Sequence, residues 1–293
     1  MPSHILDWKN WRAIHTAITP GILLVFLPSD IMREILRLPC VVVALFAMMF
    51  SISNAQAQDP KYSRMLEDLV DGKYERVLFR AIGYTEKEST KKDPEPYAYM
   101  ARAYLKIHQS DDPELKESYA KALKESLKYC TKFIKKDKEN EYVPDLLDFI
   151  EELRAEAIAA ADTEMDAEKY TRAKSMYSYL SKLDKTDPSA YIMLGLANYY
   201  ARSTRDAEQQ WATASQLMGS MTGRIAASEE TELYRDEPLT ESMEALLKTG
   251  IIRTAEQLDA DGQRARAVEL LESGLPIFEG DRSFMVTYGQ IVG

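Results

Sequence analysis

The chain of 293 residues is poor in the residue types on which catalytic and metal sites most often depend. It has two cysteines and three histidines. The sequence contains no Ser-His-Asp set, no Cys-His pair at a plausible spacing, no HExxH or CxxC motif and no glycine-rich phosphate loop. We therefore expect no enzyme activity, no metal and no cofactor, with a helical enzyme as the remote alternative.

Positive charge and chain-breaking residues are also scarce. The formal net charge of −10 argues against DNA or RNA as a partner, because nucleic-acid binding needs a concentrated basic surface. The low counts of 12 glycines and 12 prolines argue against long disordered linkers. With 45% hydrophobic and 29% charged residues, the composition is that of a folded soluble protein.

Residues Met32–Ala57 have the pattern of an export signal. Arg33 and Arg37 precede the apolar run Leu38–Phe50, and a small-x-small cleavage site ends at Ala57. The run has 13 residues, fewer than the roughly 20 that a membrane-spanning helix needs. We therefore expect residues 1–57 to be separate from a folded region of residues 58–293, and the protein to be periplasmic or secreted.

The segment before this signal leaves two alternatives open. Export signals begin close to the initiator methionine, so we expect translation to start at Met32. Alternatively, the signal is retained as an anchor, or the apolar residues Ile18–Leu27 join it in a hairpin-like membrane anchor. Membrane contact is expected only through such an uncleaved segment.

The clearest pattern in the remaining chain begins at Pro188. Counting from it, Tyr191 is the fourth residue, Gly195 the eighth, Ala207 the twentieth and Trp211 the twenty-fourth. This pattern resembles a tetratricopeptide repeat (TPR), in which two antiparallel helices form a hairpin. The two small residues are expected to face each other where the helices cross, with the aromatic side chains filling the wedges beside them.

The resemblance implies an all-α fold, a right-handed superhelical stack of antiparallel helix hairpins, that is, a TPR-like α-solenoid in which some helices are extended. Units that match the pattern recur with alternating spacings of 60 and 34 residues, which gives a longer period of 94 residues. One long helix is expected over Pro113–Lys136, and a break is expected at Gly219–Gly223 because glycine weakens helices. The unit starts are Pro94, Arg154, Pro188, Lys248 and Arg282.

Three further features have a structural and a functional interpretation. Cys130 is expected to pack in the core as a small apolar side chain rather than to react as a thiol. The acidic run Asp162–Glu168 is expected to be a helix end rather than a calcium loop, since it lacks the central glycine and the distal glutamate. A row of lysines that begins at Lys121 either faces solvent or contacts an acidic surface.

TPR-like folds bind partners on a concave groove lined by the first helix of each hairpin, and the resemblance places nine residues of this chain there. Only two of them resemble the Lys/Asn/Arg set that clamps a terminal carboxylate, so that function is not expected. The alternative that Leu196 and Tyr200 pack against a neighbouring hairpin stays open. The nine groove residues are Arg102, Leu105, Lys106, Asp162, Met165, Ile192, Leu196, Tyr199 and Tyr200.

These expectations combine into one leading function and one alternative. The leading hypothesis is an exported TPR scaffold of the cell envelope that binds a protein or peptide partner in its concave groove. The alternative is a structural component of an envelope assembly that contacts its partners through other surfaces. The sequence identifies neither the partner nor the oligomeric state.

Overall fold

A computed structural model describes residues 61–139, 141–230 and 239–293, with the backbone alone described for residues 222–230. All regular structure in these ranges is helical, which confirms the all-α expectation. Among the described helices, none combines the length and the hydropathy that a membrane span requires. The export signal Met32–Ala57 lies outside the described residues. The α-helices are α1 Ser63–Val70, α2 Tyr74–Glu86, α3 Glu95–Gln109, α4 Pro113–Ser118, α5 Ala122–Lys136, α6 Leu147–Asp166, α7 Tyr170–Leu183, α8 Pro188–Tyr200, α9 Thr204–Glu230, α10 Glu241–Ala260, α11 Arg264–Phe278 and α12 Arg282–Val292, with a 3₁₀ turn at Val143–Leu146 before α6.

The helices pack mainly in consecutive pairs. α1 packs on α2, α3 on α5, α6 on α7, α8 on α9 and α10 on α11. We call α1, α3, α6, α8, α10 and α12 the first helices and their partners the second helices. First helices also contact one another: α8 packs on α10, and α10 packs on α12. Second helices do so as well, since α5 packs on α7 and α9 packs on α11. Each pair is therefore packed against its neighbours.

The helix boundaries repeat with the period seen in the sequence. Leu147 and Glu241 begin α6 and α10, and Pro188 and Arg282 begin α8 and α12, each 94 residues apart. The turn before α7 places Glu168 at φ 57°, and the equivalent turn before α11 places Gly262 at φ 74°. The helices α6–α8 and α10–α12 are thus structural counterparts.

The crossing of α8 and α9 differs from the expected one. Gly195 lies against the indole ring of Trp211, and a Cβ on this glycine would overlap that ring. Ala207 is fully buried one turn away on α9. Glycine is needed at position 195 because the large ring of Trp211 packs against it.

The predicted helix Pro113–Lys136 is interrupted in the structure. Tyr119 leaves the helical conformation, with φ −119° and ψ 45°, and α5 begins only at Ala122. The Tyr119 ring packs edge-on against Tyr104, with 6.1 Å between the ring centroids. This aromatic contact with α3 favours a break that the spacing of apolar residues did not indicate.

The expected break at Gly219–Gly223 is also wrong, because α9 continues to Glu230. Gly219 faces open space, and a Cβ added to it would meet no neighbouring group within 4 Å. Each glycine costs about 1 kcal/mol of helix stability relative to alanine. Trp211 and Met218 are buried on the same helix, and their packing stabilises it against this cost.

Two other expectations are confirmed. Cys130 is fully buried on α5, and burial raises the pKa of its thiol to about 12, so the thiol is unreactive at neutral pH. The acidic run from Asp162 is the end of α6, which stops at Asp166.

Candidate functional site

Four of the nine predicted groove residues lie in the core. Leu105, Ile192 and Leu196 have no exposed surface, and Met165 has almost none. A fully buried side chain cannot contact a partner, so the groove assignment is corrected for these four residues. Their burial also decides the open alternative for Leu196, which packs against neighbouring helices.

The helix α10 explains why Ile192 is buried. A Cβ added to Gly250 would lie 2.5 Å from Cγ2 of Ile192, so α10 approaches α8 as closely as its backbone allows. The face of α8 that the repeat pattern assigns to the groove is therefore covered by α10. With α7, α9 and α10 all packed on it, α8 is apolar on every side.

The helices α6 and α10 contact each other near both ends. Ser242 donates a hydrogen bond of 2.8 Å from its Oγ to Glu151 near the start of the two helices. Near their other ends, the guanidinium of Arg253 lies 3.6 Å from a carboxylate oxygen of Asp162 and 3.6 Å from one of Asp166. Each of these helices has 20 residues, against 13 in α8.

Tyr200 remains partly exposed beside these contacts. Its hydroxyl donates a 2.9 Å hydrogen bond to Oε1 of Gln257 on α10. Its ring stacks on Tyr170, with 4.9 Å between the ring centroids and 21° between the planes. Burial raises the pKa of the Tyr200 hydroxyl, so this group is a neutral donor at physiological pH.

Tyr199 makes a separate link between α8 and the turn after α10. Its hydroxyl donates to Oδ2 of Asp261 at 2.7 Å and accepts from Nε2 of Gln263 at 3.0 Å. Its ring lies 5.5 Å from that of Trp211. Tyr199, like Tyr200, is therefore held by contacts within its own chain.

Asp162 belongs to the same region as Tyr200. Its Oδ1 accepts a 2.9 Å hydrogen bond from the hydroxyl of Tyr177, whose pKa is raised by burial. Arg253 pairs with this carboxylate, and its positive charge lowers the pKa of the Tyr200 hydroxyl against the effect of burial. No local pattern in the sequence marks Arg253, because it lies on another helix about 90 residues away.

We call this group the Tyr200 face. It combines carboxylate, guanidinium, amide and aromatic groups that remain at least partly exposed, which is the composition of surfaces that bind proteins or peptides. Its members come from three first helices and from the start of one second helix. They are Asp162, Asp166, Tyr170, Tyr200, Arg253 and Gln257.

Lys106 lies in a different patch, between α3 and α6. Its ammonium is 2.9 Å from Glu152 and 3.0 Å from Gln109, and this glutamine donates further bonds to Glu152 and Glu156. About a third of the Lys106 side chain is exposed, so the ion pair adds little stability. We call Lys106, Gln109, Glu152 and Glu156 the Lys106 patch. Its lysine is already paired with a carboxylate of the chain.

Arg102 lies apart from both groups. It lines a small pocket of about 20 Å³ between α3, the end of α5 and the 3₁₀ turn. The walls of this pocket are mostly aromatic and aliphatic, from Tyr99, Phe133, Tyr142 and Leu146. The structure therefore divides the five remaining groove residues among the pocket, the Lys106 patch, the Tyr200 face and the Tyr199 link.

Nothing in the described ranges groups three or more His, Cys, Asp or Glu side chains in a way that could hold a metal ion. Comparisons with protein-family models, with curated proteins and with solved structures found no match for this chain. The candidate site therefore depends on the geometry of the chain itself.

Proposed function

We propose that the protein is an exported, TPR-like scaffold that binds a protein or peptide partner through the exposed surface of its first helices. The Tyr200 face is the observation that carries this proposal. Its aromatic and charged groups stay accessible while most of α8 around them is buried. Rigidly held tyrosine and arginine side chains are the residue types that contribute most to protein–protein binding.

The order of helix contacts supports the TPR-like part of the proposal. Successive pairs pack through contacts of a second helix with the next first helix, as α2 with α3 and α7 with α8, and in the later part also through first helices, as α8 with α10 and α10 with α12. Where first helices contact one another they lie on one side of a stack, which in a right-handed superhelix is the concave side. The Tyr200 face and the Lys106 patch both lie mainly on these helices.

Site-specific photo-crosslinking in the cells that produce the protein tests this proposal. A photoreactive amino acid replaces Tyr200 in one variant and Lys106 in a second. The matched control replaces Lys124, an exposed residue of the second helix α5. We expect crosslinked partners at Tyr200 or Lys106 and none at Lys124, and the absence of crosslinks at both first-helix positions would refute the proposal.

The alternative function, a structural component of an envelope assembly, is favoured by a different observation. Phe79 on the second helix α2 exposes 82% of its surface, which is unusual for so large an apolar side chain. Crosslinks only at second-helix positions such as Lys124 would support this alternative.

Export is proposed from residues 32–57 alone. Fusing this segment to a reporter enzyme that is active only outside the cytoplasm tests it directly. We expect activity from the fusion and none when a glutamate pair replaces the central residues of the Leu38–Phe50 run. Equal activity of both fusions would exclude an export signal here.

A further inference from the structure

A row of lysines covers the face of α5 that is turned away from the core. Its members recur every three or four residues, so they lie on one side of the helix, over about 17 Å from Lys124 to Lys135. The opposite side of α5 is buried and contains Leu127, Cys130 and Phe133. The row consists of Lys121, Lys124, Lys128, Lys132 and Lys135.

The row continues onto the neighbouring second helix α7. Tyr129 lies beside it, and the ammonium groups of Lys128 and Lys132 are each 5.0 Å from the centroid of this ring. A hydrogen bond to the glutamate one turn earlier raises the pKa of Lys128, and Tyr179 of α7 adds to this effect. The ammonium of Lys182 lies 5.3 Å from the centroid of the Tyr179 ring. We call the lysine row, Lys182 and these two tyrosines the basic surface.

Positive charge is concentrated on these two helices. Together α5 and α7 contain eight Lys and Arg against one Glu, a net charge of +7. The first helices α6 and α10 contain three Lys and Arg against 11 Asp and Glu, a net charge of −8. The basic helices are second helices and the acidic ones are first helices, so opposite charges lie on opposite members of the helix pairs.

The chain neutralises little of the charge on the basic surface. Lys128 pairs with Glu125 at 2.6 Å. Elsewhere a lysine of α7 finds a carboxylate on the next helix, as Lys174 does with Asp206 at 3.6 Å. The other lysines of the basic surface pair with no carboxylate among the residues that the structure describes, and these are Lys121, Lys124, Lys132, Lys135 and Lys182. The basic surface therefore suits an anionic partner.

The chemistry of this surface matches the headgroups of anionic phospholipids. Every cation on α5 is a lysine, whose compact charge on a flexible stem adapts to mobile phosphates, whereas arginine has a fixed fork that suits carboxylates at protein interfaces. Tyrosine rings among the lysines match the polar boundary of a bilayer, where tyrosine is enriched. Both helices are described in full, and neither exposes a large apolar side chain, so the contact depends on charge.

The distribution of charge favours a plane over a local partner. The positive charge spreads over two helices, and the negative charge lies on the first helices of the same array. A uniformly charged anionic plane attracts the first group and repels the second, which orients the whole array.

The apolar run Leu38–Phe50 also brings such a plane close. Ten residues separate Phe50 from Lys61, the first described residue. An extended stretch of this length spans at most about 35 Å. When the run lies in a membrane, as an export signal in transit or as a retained anchor, the described helices are therefore near a bilayer surface.

We propose that the basic surface binds the anionic phospholipid headgroups of a membrane, with the acidic first helices turned away from it. This orientation leaves the Tyr200 face accessible to a protein partner. The binding goes beyond the proposed function and does not depend on it. Because lipid covers the basic surface, Lys124 remains a control position at which no protein crosslink is expected.

Co-sedimentation of the full chain with lipid vesicles tests this proposal. Vesicles that contain phosphatidylglycerol in phosphatidylcholine are compared with vesicles of phosphatidylcholine alone, which carry no net charge. The triple variant Lys124→Gln, Lys132→Gln and Lys135→Gln removes three charges at exposed positions and leaves the apolar run unchanged. Its affinity for the anionic vesicles should fall by about a hundredfold, and added salt should weaken the binding of the parent chain.

Two further variants separate charge at this surface from net charge and from folding. Arg205→Gln, Arg264→Gln and Arg282→Gln together remove three charges at exposed positions of α9, α11 and α12, and this chain should bind as the parent does. Arginine at the three lysine positions keeps the charge and should retain binding.

Three results would each overturn the proposal. The first is equal binding of the parent chain and the triple lysine variant to the anionic vesicles. The second is a loss of binding in the arginine-substituted lysine variant, which would indicate damage to the fold. The third is binding of soluble poly-glutamate as tight as that of the vesicles, which would assign the basic surface to an acidic protein instead.

Discussion

The same ion pair occurs twice, 94 residues apart, in very different surroundings. In the middle of the array, Arg154 of α6 lies 2.6 Å from Asp187, and both side chains are almost fully buried. At the later position, Lys248 of α10 lies 2.7 Å from Asp281, and each side chain exposes about 30% of its surface. Both pairs join a basic side chain to an aspartate, so the difference in their exposure comes from the number of helices packed around each pair.

The carboxylates in both pairs also cap the helix that follows. Asp187 accepts a hydrogen bond from the backbone N–H of Ser189, and Asp281 accepts one from that of Phe284. Arginine occupies the buried position and lysine the exposed one, as expected from the larger number of donors on a guanidinium. A related pair, Lys61 with Asp93 at 2.8 Å, lies near the start of the described residues and is again partly exposed. Among the described residues, the ion pair in the middle of the array is thus buried, and the two pairs nearer its ends are partly exposed.

The largest expected effect comes from breaking the buried pair. Arg154→Met leaves the Asp187 carboxylate buried without its cation, which should cost about 3–5 kcal/mol of the free energy of unfolding. Chemical denaturation measures this loss, and Lys248→Met is the matched control with an expected loss several times smaller. Equal losses would contradict the difference in burial.

The free energy of unfolding of the Arg154→Met variant, measured at several pH values, tests the role of the Asp187 charge. Burial raises the pKa of Asp187 against the opposing effect of Arg154, so removing the arginine should raise this pKa further. A carboxyl whose pKa is raised on folding contributes stability at low pH and loses it as the pH rises through the folded value. The Arg154→Met variant should therefore recover stability relative to the parent as the pH falls.

The paired glycines give the next largest effect. Gly195→Ala forces a methyl group into the Trp211 ring and should cost about 1–3 kcal/mol. At the counterpart Gly289 the same substitution meets open space and should stabilise the helix by up to about 1 kcal/mol. The melting temperatures of the two variants, measured at low protein concentration, should shift in opposite directions. A similar shift at both positions would show that α12 is covered like α8.

A smaller effect is expected at the turn between first and second helices. Glu168 has φ 57°, where its counterpart is Gly262 with φ 74°. Glu168→Gly relieves the strain of a left-handed conformation and should stabilise the protein by about 0.5–1 kcal/mol. Gly262→Ala should destabilise it instead. The denaturant concentrations at the unfolding midpoints of the two variants measure these changes in stability. A destabilising effect of Glu168→Gly would show that the two turns are not equivalent.

The smallest effect concerns the exposed pair. Lys248, together with Ser283 and the backbone N–H of Phe284, holds the pKa of Asp281 well below its usual range. A lowered carboxyl pKa contributes stability above the unfolded value that is lost as the pH falls through the folded one. Lys248→Met should therefore lower the melting temperature slightly at neutral pH, and the difference from the parent should vanish in acid. A constant difference across the pH range would rule out this electrostatic origin.

Local patterns in the sequence were enough to predict much of the fold. The resemblance to a TPR predicted an all-α protein and helix starts close to Pro188 and Arg282, and the spacing of apolar residues predicted the burial of Cys130. The 94-residue period followed from the same patterns. Each of these features depends on residues close together in the chain, where side-chain periodicity determines which face is buried.

The candidate site was predicted only in part, because it depends on contacts between distant segments. Ile192 and Leu196 were assigned to the groove, yet α10 covers that face of α8 by approaching through Gly250. Arg253 completes the Tyr200 face from the same helix, and no local motif marks it. A repeat pattern fixes the register of a helix within its hairpin but not which neighbouring helix lies over its outer face.

Hydrogen exchange measured peptide by peptide tests most directly whether the array is closed in the middle and open at its ends. Amides in a helix surrounded by others exchange only through larger unfolding events, whereas those at an open end exchange through local ones. We expect the slowest exchange in α8, Pro188–Tyr200, and clearly faster exchange in its counterpart α12, Arg282–Val292, at concentrations where the chain is monomeric. Equal protection of the two helices in the monomer would contradict this description.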